Sequence, residues 1–236
     1  MDIAYGIAGF FFIPVLIFAL VAQGMVKSRY KKYSKVMSRS GMTGAAAAYT
    51  LLQLNGITDV TIQKIGGKLS DNYNPSNKVI SLSEGVYDST SVAAIGIACH
   101  EAGHACQHAA AYAPLTFRNM IIPVTKIGSW IGVPLVIAGM FISYYAATSD
   151  LGYIVALVGL ILYSFVAFFQ LITLPVEFDA SKRALATIKT HGFLVDEEYR
   201  GAKKVLTAAA LTYVAALASS LVTLLRLALI VAGRRR

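Results

Sequence analysis

Two histidines and a glutamate near the middle of the chain have the types and spacing of a catalytic metal site. The segment from Cys99 to Gln107 contains His100, Glu101 and His104, which match the pattern H-E-x-x-H. On a helix that turns about 100° per residue, side chains four residues apart project from one face about 6 Å apart. Two imidazoles in that arrangement can bind one zinc ion. Glu101 can then take a proton from a water on the open position of the metal during attack on a carbonyl.

The residues around this motif favour a metal site over a chance match. Three of the four histidines of the chain fall within nine residues, and residues 92–99 are small and apolar, as a buried helix requires. Cys99 and Cys106 project about 100° or more away from His100 on such a helix. We therefore predict that both cysteines are core residues with free thiols rather than metal ligands.

A zinc site of this kind needs a third protein ligand. His108 follows His104 by one helical turn, but it lies about 12 Å from His100 along the axis, too far for three successive turns to bind one small ion. His108 falls on the side of Glu101. We expect it either to line a cavity there or to be a solvated surface residue.

Glu177, Asp179 and His191 are the main downstream candidates for the third ligand, with a few further acidic residues. Glu177 begins an alanine-containing amphipathic stretch that is suited to a second helix packed against the first. We take Glu177 as the ligand. A site closed by a fourth ligand, such as His108 or His191, would instead indicate a non-catalytic zinc-binding scaffold or regulator.

The composition is that of an integral membrane protein. The 236 residues are 56% hydrophobic and 14% charged, with a mean hydropathy of +0.62. The net charge of +9 comes mainly from basic residues beside apolar runs, where lipid headgroups and topology explain them, so we expect no nucleic-acid partner. The two cysteines have no paired spacing and predict no disulfide framework.

Four uncharged runs are each long enough to cross a hydrocarbon core about 30 Å thick: residues 3–23, 127–147, 151–174 and 205–225. Basic residues from Lys27 to Arg39 follow the first run, so the positive-inside rule places that end in the cytoplasm.

The first run is predicted to be a signal anchor rather than a cleaved signal peptide, because Asp2 precedes it where a signal peptide has basic residues. Residues 148–150 lack lysine and arginine, as an outside turn would.

The last run leaves two alternatives. A full fourth crossing would put Arg234, Arg235 and Arg236 outside, and Arg226 interrupts the apolar pattern. Alternatively, the alanine-rich part from residue 205 to 218 packs on the catalytic helices and only the remainder dips into the bilayer. We favour four spans.

The mixed polar and apolar pattern of residues 40–118 predicts a partly soluble segment. A helix is predicted over residues 41–53, two strands over 60–65 and 78–82, and the motif helix over about 90–111. The turn-rich residues between the strands predict a small hairpin, whose exposed edge could bind a substrate backbone or could simply pack on the motif helix.

The sequence thus predicts a mainly α fold: a multi-span helical membrane protein with a small β-hairpin and an H-E-x-x-H active-site helix like that of the zincins. The predicted organisation is an N-terminal transmembrane anchor (1–26), a cytoplasmic-side segment with the hairpin and motif helix (27–118), a transmembrane hairpin (119–176), the third-ligand helix with a cytoplasmic segment (177–204), and a C-terminal apolar helix as the fourth span (205–236).

Several segments of the chain resemble the YugP-like family of integral membrane zinc metallopeptidases, gluzincins related to the HtpX-type proteases. These segments are residues 82–87 (LSEGVY), the motif HEAGH at 100–104, residues 175–181 (PVEFDAS) and residues 202–213 (AKKVLTAAALTY). The resemblance implies one zinc ion per chain bound by His100, His104 and Glu177, with Glu101 as the general base.

One position departs from the HtpX-type pattern. The fourth residue after the ligand glutamate is Ser181 rather than aspartate, so the carboxylate that would orient a zinc-binding imidazole is missing from that place. Tyr213 and His191 are candidate hydrogen-bond donors to the tetrahedral intermediate, and neither has a spacing that decides between them.

We therefore predict a zinc-dependent endopeptidase in the cell membrane, with its active site on the cytoplasmic side and membrane or cytoplasmic polypeptides as substrates. Its partners are the polypeptide substrate and the lipid bilayer, and the oligomeric state is left open. A transporter is disfavoured, because the central spans carry no acidic residue between residues 127 and 147 or between residues 151 and 174 for an ion relay.

Overall fold

The computed structural model describes residues 3–145 and 149–233. Within these residues the chain is mainly helical, which confirms the predicted fold class. The predicted turn residue Thr148, the N-terminal Asp2 and the three terminal arginines lie outside the described residues. In chain order the elements are α1 (Ile3–Tyr33), α2 (Gly44–Leu54), β1 (Thr61–Ile65), β2 (Asn72–Asn74), β3 (Val79–Ser83), α3 (Glu84–Tyr87), α4 (Val92–Ala109), α5 (Ala113–Tyr145), α6 (Ser149–Thr190) and α7 (Asp196–Ala232).

Four of the described helices are long and apolar enough to cross a membrane, by length and composition. The candidate spans are Gly9–Tyr33, Ala113–Tyr145, Asp150–Thr190 and Asp196–Ala232. The last two spans contain the predicted apolar runs 151–174 and 205–225, and the first two spans overlap the runs 3–23 and 127–147 over residues 9–23 and 127–145. Large apolar side chains are exposed along them, Trp130 and Phe10 among the most, as expected for surfaces that contact lipid.

The chain divides into two compact units. The apolar unit consists of Met1–Val21, Phe117–Leu174 and Tyr213–Arg236, and the site unit consists of Ala22–Thr116 and Pro175–Thr212. Each of the helices α1, α5, α6 and α7 contributes residues to both units.

Within the apolar unit, α5 and α6 approach each other very closely at small residues. A Cβ atom on Gly128 would lie 2.2 Å from the carbonyl oxygen of Leu162, so only glycine fits there. Small residues allow helices to pack closely when no hydrophobic effect drives them together, as in lipid. A small buried cluster that includes Val136, Ala156 and Leu227 completes the packing of this unit.

The site unit is built around α4. This helix begins after the N-cap Ser91, whose hydroxyl accepts a hydrogen bond from the backbone N–H of Ala94. Its apolar residues are buried against α2, the sheet and the C-terminal part of α6, with Leu51, Ile80 and Ile188 fully buried in the same core. The predicted helix at 90–111 is therefore confirmed, two residues shorter at each end.

The observed sheet differs from the hairpin predicted from the sequence. Its strand order is β1-β3-β2, and the two strands predicted from the sequence, β1 and β3, pair in parallel rather than as a hairpin. The short strand β2 lies in the turn-rich segment and pairs antiparallel with β3, so the hairpin consists of β2 and β3. Three residues of β2 are too few for an alternating pattern, which is why the sequence did not indicate this strand.

Candidate metal centre

The described structure brings the three residues proposed as metal ligands into one group. His100 and His104 project from α4, and Glu177 projects from α6 two residues after Pro175. Glu177 Oε2 lies 3.2 Å from His100 Nε2 and 3.5 Å from His104 Nε2, and the ligand atoms of all three lie within 4.8 Å of one another. Zinc bonds of about 2.0–2.1 Å in a tetrahedral site place ligand atoms about 3.3–3.5 Å apart, so the group fits a zinc ion.

The hydrogen bonds of His104 support the same fit. His104 Nδ1 lies 3.0 Å from Gln107 Oε1, and Gln107 Nε2 donates to the carbonyl oxygen of Val176 at 2.7 Å and to Asp179 Oδ2 at 2.9 Å. Because Gln107 uses its amide nitrogen in those two bonds, its oxygen must accept from His104, which puts the imidazole proton on Nδ1. The Nε2 lone pair of His104 therefore faces a carboxylate oxygen, an arrangement that a cation between them stabilises.

His100 also has a partner on its far nitrogen. Ser181 Oγ lies 3.1 Å from His100 Nδ1, one turn beyond Glu177 on α6. The hydroxyl can accept a hydrogen bond from Nδ1–H and leave Nε2 for a metal. The position where the sequence lacks the expected carboxylate thus holds a neutral group that contacts the imidazole of His100.

The two helices that carry the ligands touch at Gly103, inside the H-E-x-x-H motif. A Cβ atom at this position would lie 2.6 Å from the carbonyl oxygen of Ala180 on α6. That spacing leaves no room for a side chain, because the opposing atom belongs to the backbone. Gly103 therefore permits the close helix contact that brings Glu177 to the two histidines.

Glu101 lies buried beside this group. Within the described residues its carboxylate has no hydrogen-bond partner, so its lone pairs are available to a water molecule. Burial raises the pKa of the Glu101 carboxyl, the two histidines of the motif oppose that shift, and the nearby carboxylates of Glu177 and Asp71 add to it. Asp71 itself accepts hydrogen bonds from the backbone N–H and the hydroxyl of Ser83.

The rival ligands lie elsewhere. Asp179 is bound to Gln107 and accepts a hydrogen bond from Arg183 Nε at 2.6 Å. His108 Nδ1 lies 2.8 Å from the hydroxyl of Tyr73, and His108 lines a pocket of about 120 Å³ whose lining residues do not include Glu101. His191 is exposed after the end of α6, near the ring of Phe193.

Both cysteines are buried and free in the core of the site unit, as predicted. Among the described residues, the group that could hold a metal consists of His100, His104 and Glu177, without a fourth histidine, cysteine, aspartate or glutamate. Such a set leaves a position open for water or substrate, which is typical of catalytic rather than structural zinc sites.

The sequence reasoning missed Gln107 and the role of Gly103. Gln107 follows His104 by three residues, so it lies on the same helix face, and it is a fully buried polar residue in an otherwise apolar helix. Those two features are the signal that could have identified it.

Comparison with known proteins gives one family and one curated relative. Residues 8–232 match the model of a family described as "Putative neutral zinc metallopeptidase". The chain is 46% identical over 209 residues to a protein of Bacillus subtilis (strain 168) named "Putative membrane protease YugP", with 89% of each chain covered. No solved structure matches the chain.

Proposed function

The chain belongs to this zinc metallopeptidase family, and from that premise we propose that it is a membrane-embedded zinc endopeptidase of the gluzincin type. The observation that carries the proposal is the convergence of His100 Nε2, His104 Nε2 and Glu177 Oε2 beside the buried carboxylate of Glu101. Its substrates are peptide bonds of membrane or cytoplasmic polypeptides, and one zinc ion is bound per chain.

The roles of the residues follow from their positions. A zinc ion held by His100, His104 and Glu177 would supply a Lewis acid that polarises the scissile carbonyl and makes water nucleophilic near neutral pH. Glu101 takes a proton from the attacking water as the new C–O bond forms. It then passes that proton to the amine nitrogen as the C–N bond breaks.

Two further residues keep the imidazoles in place. Gln107 holds the proton of His104 on Nδ1, and Ser181 does the same for His100, so that each Nε2 lone pair remains directed at the metal position. Of the two candidate oxyanion donors, Tyr213 remains, because His191 is exposed after the end of α6, 14 residues beyond Glu177.

The cytoplasmic location of the site is part of the proposal. It is supported by the basic residues between Lys27 and Arg39, which directly follow the first apolar run. The exposed edge of the small sheet is a candidate surface for the substrate backbone, because β2 is an edge strand that contacts the motif helix α4.

The test compares four forms of the purified chain in detergent: native, Glu101→Gln, Glu177→Ala and the exposed control Glu197→Gln. Zinc content is measured by elemental analysis and hydrolysis is measured on casein or a model peptide. We expect about one zinc in the native, Glu101→Gln and control proteins, and a loss of turnover of about 10²-fold or more in Glu101→Gln. Glu177→Ala should lose both zinc and turnover while its circular dichroism spectrum stays native.

Three results would contradict the proposal. If Glu101→Gln were as active as the native protein, Glu101 would be excluded as the general base. Full zinc content in a folded Glu177→Ala protein would remove Glu177 as the third ligand. Zinc binding without hydrolysis of any polypeptide by the native protein would favour the non-catalytic scaffold.

A further inference from the structure

An apolar groove lies between α6 and α7 in the site unit, outside the metal centre. Its volume is about 400 Å³, within the usual range for sites that bind small organic molecules. The groove is lined mainly by apolar side chains, with two lysines and three hydroxyl groups. Its lining residues include Phe178, Leu185, Ala186, Leu206, Ala210 and Leu211.

Two lysines give the groove a positive charge. Lys182 and Lys203 both line it and both are exposed. No acidic residue lines the groove, and among the described side chains neither lysine has a carboxylate within ion-pair distance. The nearby acids form their ion pairs with other residues: Asp179, whose charge also acts on Lys182 at longer range, pairs with Arg183, and Glu197 pairs with Arg200. An apolar groove lined by two lysines and by no acidic residue is complementary to an anionic amphiphile.

The walls suit an acyl chain better than a peptide. Both walls are faces of helices, whose backbone groups are already bonded within each helix. A bound peptide would bring its own N–H and C=O groups and find only the hydroxyls of Ser181, Tyr199 and Thr207 as partners. An acyl chain needs no hydrogen bonds, so burial of its methylene groups is favourable without that penalty.

The position of the groove along the chain also favours a lipid. On α6 its lining begins at Phe178, directly after the apolar run 151–174, and on α7 it ends at Leu211, inside the apolar run 205–225. Both walls are therefore helix segments at the ends of candidate spans, where the headgroup region of a bilayer begins.

We propose that this groove binds one anionic phospholipid, with an acyl chain along its apolar walls and the phosphate at Lys182 and Lys203. Lipid binding at this groove does not require peptide hydrolysis, so its test is independent of the test of the proposed function. It nevertheless touches the metal centre through Ser181, which lines the groove and contacts His100 Nδ1. A bound lipid would thus pack against a residue that orients one of the proposed ligands.

The test measures lipid binding to the full chain in a neutral detergent by native mass spectrometry. Phosphatidylglycerol and phosphatidylcholine with identical acyl chains are titrated in parallel. We expect one phosphatidylglycerol per chain with an affinity about tenfold or more above that for phosphatidylcholine. The variant Lys182→Glu/Lys203→Glu should lose that preference, and Ala186→Phe, which fills the groove from an exposed position, should weaken phosphatidylglycerol binding.

A charge-matched control separates a specific site from general attraction. Lys189 and Lys204 are exposed lysines on the same two helices and do not line the groove. The variant Lys189→Glu/Lys204→Glu should therefore bind phosphatidylglycerol as the native chain does. If the charge-reversed groove variant does not fold, the neutral Lys182→Gln/Lys203→Gln variant takes its place, with a smaller but measurable loss of affinity.

Three outcomes would overturn the inference. Equal binding of the two lipids would exclude a role for the lysines, and an equal loss in the control variant would show that only net charge matters. Displacement of bound phosphatidylglycerol by an acidic, apolar peptide at a lower concentration than by free lipid would assign the groove to a polypeptide instead.

Discussion

His104 Nδ1 lies 3.0 Å from Gln107 Oε1 within the motif helix, and Gln107 in turn connects this helix to α6, which carries the third proposed ligand. The amide of Gln107 continues the connection, because it donates to the carbonyl oxygen of Val176, the residue immediately before Glu177. A single buried side chain therefore orients one proposed ligand and holds the backbone next to another. Hydrogen-bond partners of this kind commonly tune metal affinity and activity.

Replacement of Gln107 by alanine should weaken zinc binding. The change removes the acceptor of His104 and the hydrogen bond from Gln107 to the Val176 carbonyl, so we expect zinc affinity to fall about 10- to 100-fold. Affinity is measured by competition with a chromophoric chelator, which does not depend on activity. Gln53→Ala is the matched control, because Gln53 is exposed on α2. Native zinc affinity in Gln107→Ala would refute the role given to this residue.

Ser181→Ala tests the contact with His100. Loss of the hydroxyl removes the partner of His100 Nδ1, so we expect zinc affinity to fall, by about tenfold. Ser181→Asp keeps an acceptor at this place and should bind zinc at least as tightly as the native chain. If Ser181→Ala binds zinc normally, another group orients His100.

Gly103→Ala should push α4 and α6 apart. The new methyl group would meet the Ala180 carbonyl oxygen at 2.6 Å, and such overpacking costs about 1–3 kcal/mol of stability. Thermal unfolding in detergent and zinc content should both decrease. Gly24→Ala is the control, since no atom lies within 4 Å of its added Cβ and alanine favours a helix by up to about 1 kcal/mol. Equal behaviour of the two variants would exclude a tight helix contact at Gly103.

The cysteines should be dispensable for metal binding. Burial raises the pKa of the Cys99 thiol and of the Cys106 thiol, so both should react slowly with a thiol reagent in the folded protein and quickly after denaturation. The double variant Cys99→Ala/Cys106→Ala should keep about one zinc per chain, with some loss of stability from the deleted core atoms. Loss of zinc from a folded double variant would show that the thiols bind the metal and would contradict this prediction.

The sequence alone determined the elements whose evidence is local. The spacing of His100, Glu101 and His104 on a helix and the four apolar runs are all patterns within short segments. The periodicity of a helix fixes which side chains share a face, so the exclusion of the two cysteines could also be argued from the sequence. Glu177 could be selected from the sequence, because few acids follow the central spans.

Only the tertiary structure decided how distant segments pair. β1 and β3 pair in parallel, while β2, which lies between them in the chain, pairs antiparallel with β3 on its other side. No local sequence pattern determines this pairing of the strands. The contacts of Gln107 with Val176, of Ser181 with His100 and of Gly103 with Ala180 join residues about 70 to 80 positions apart. Such contacts depend on how closely two helices pack, and packing distance is a property of three-dimensional neighbours rather than of sequence spacing.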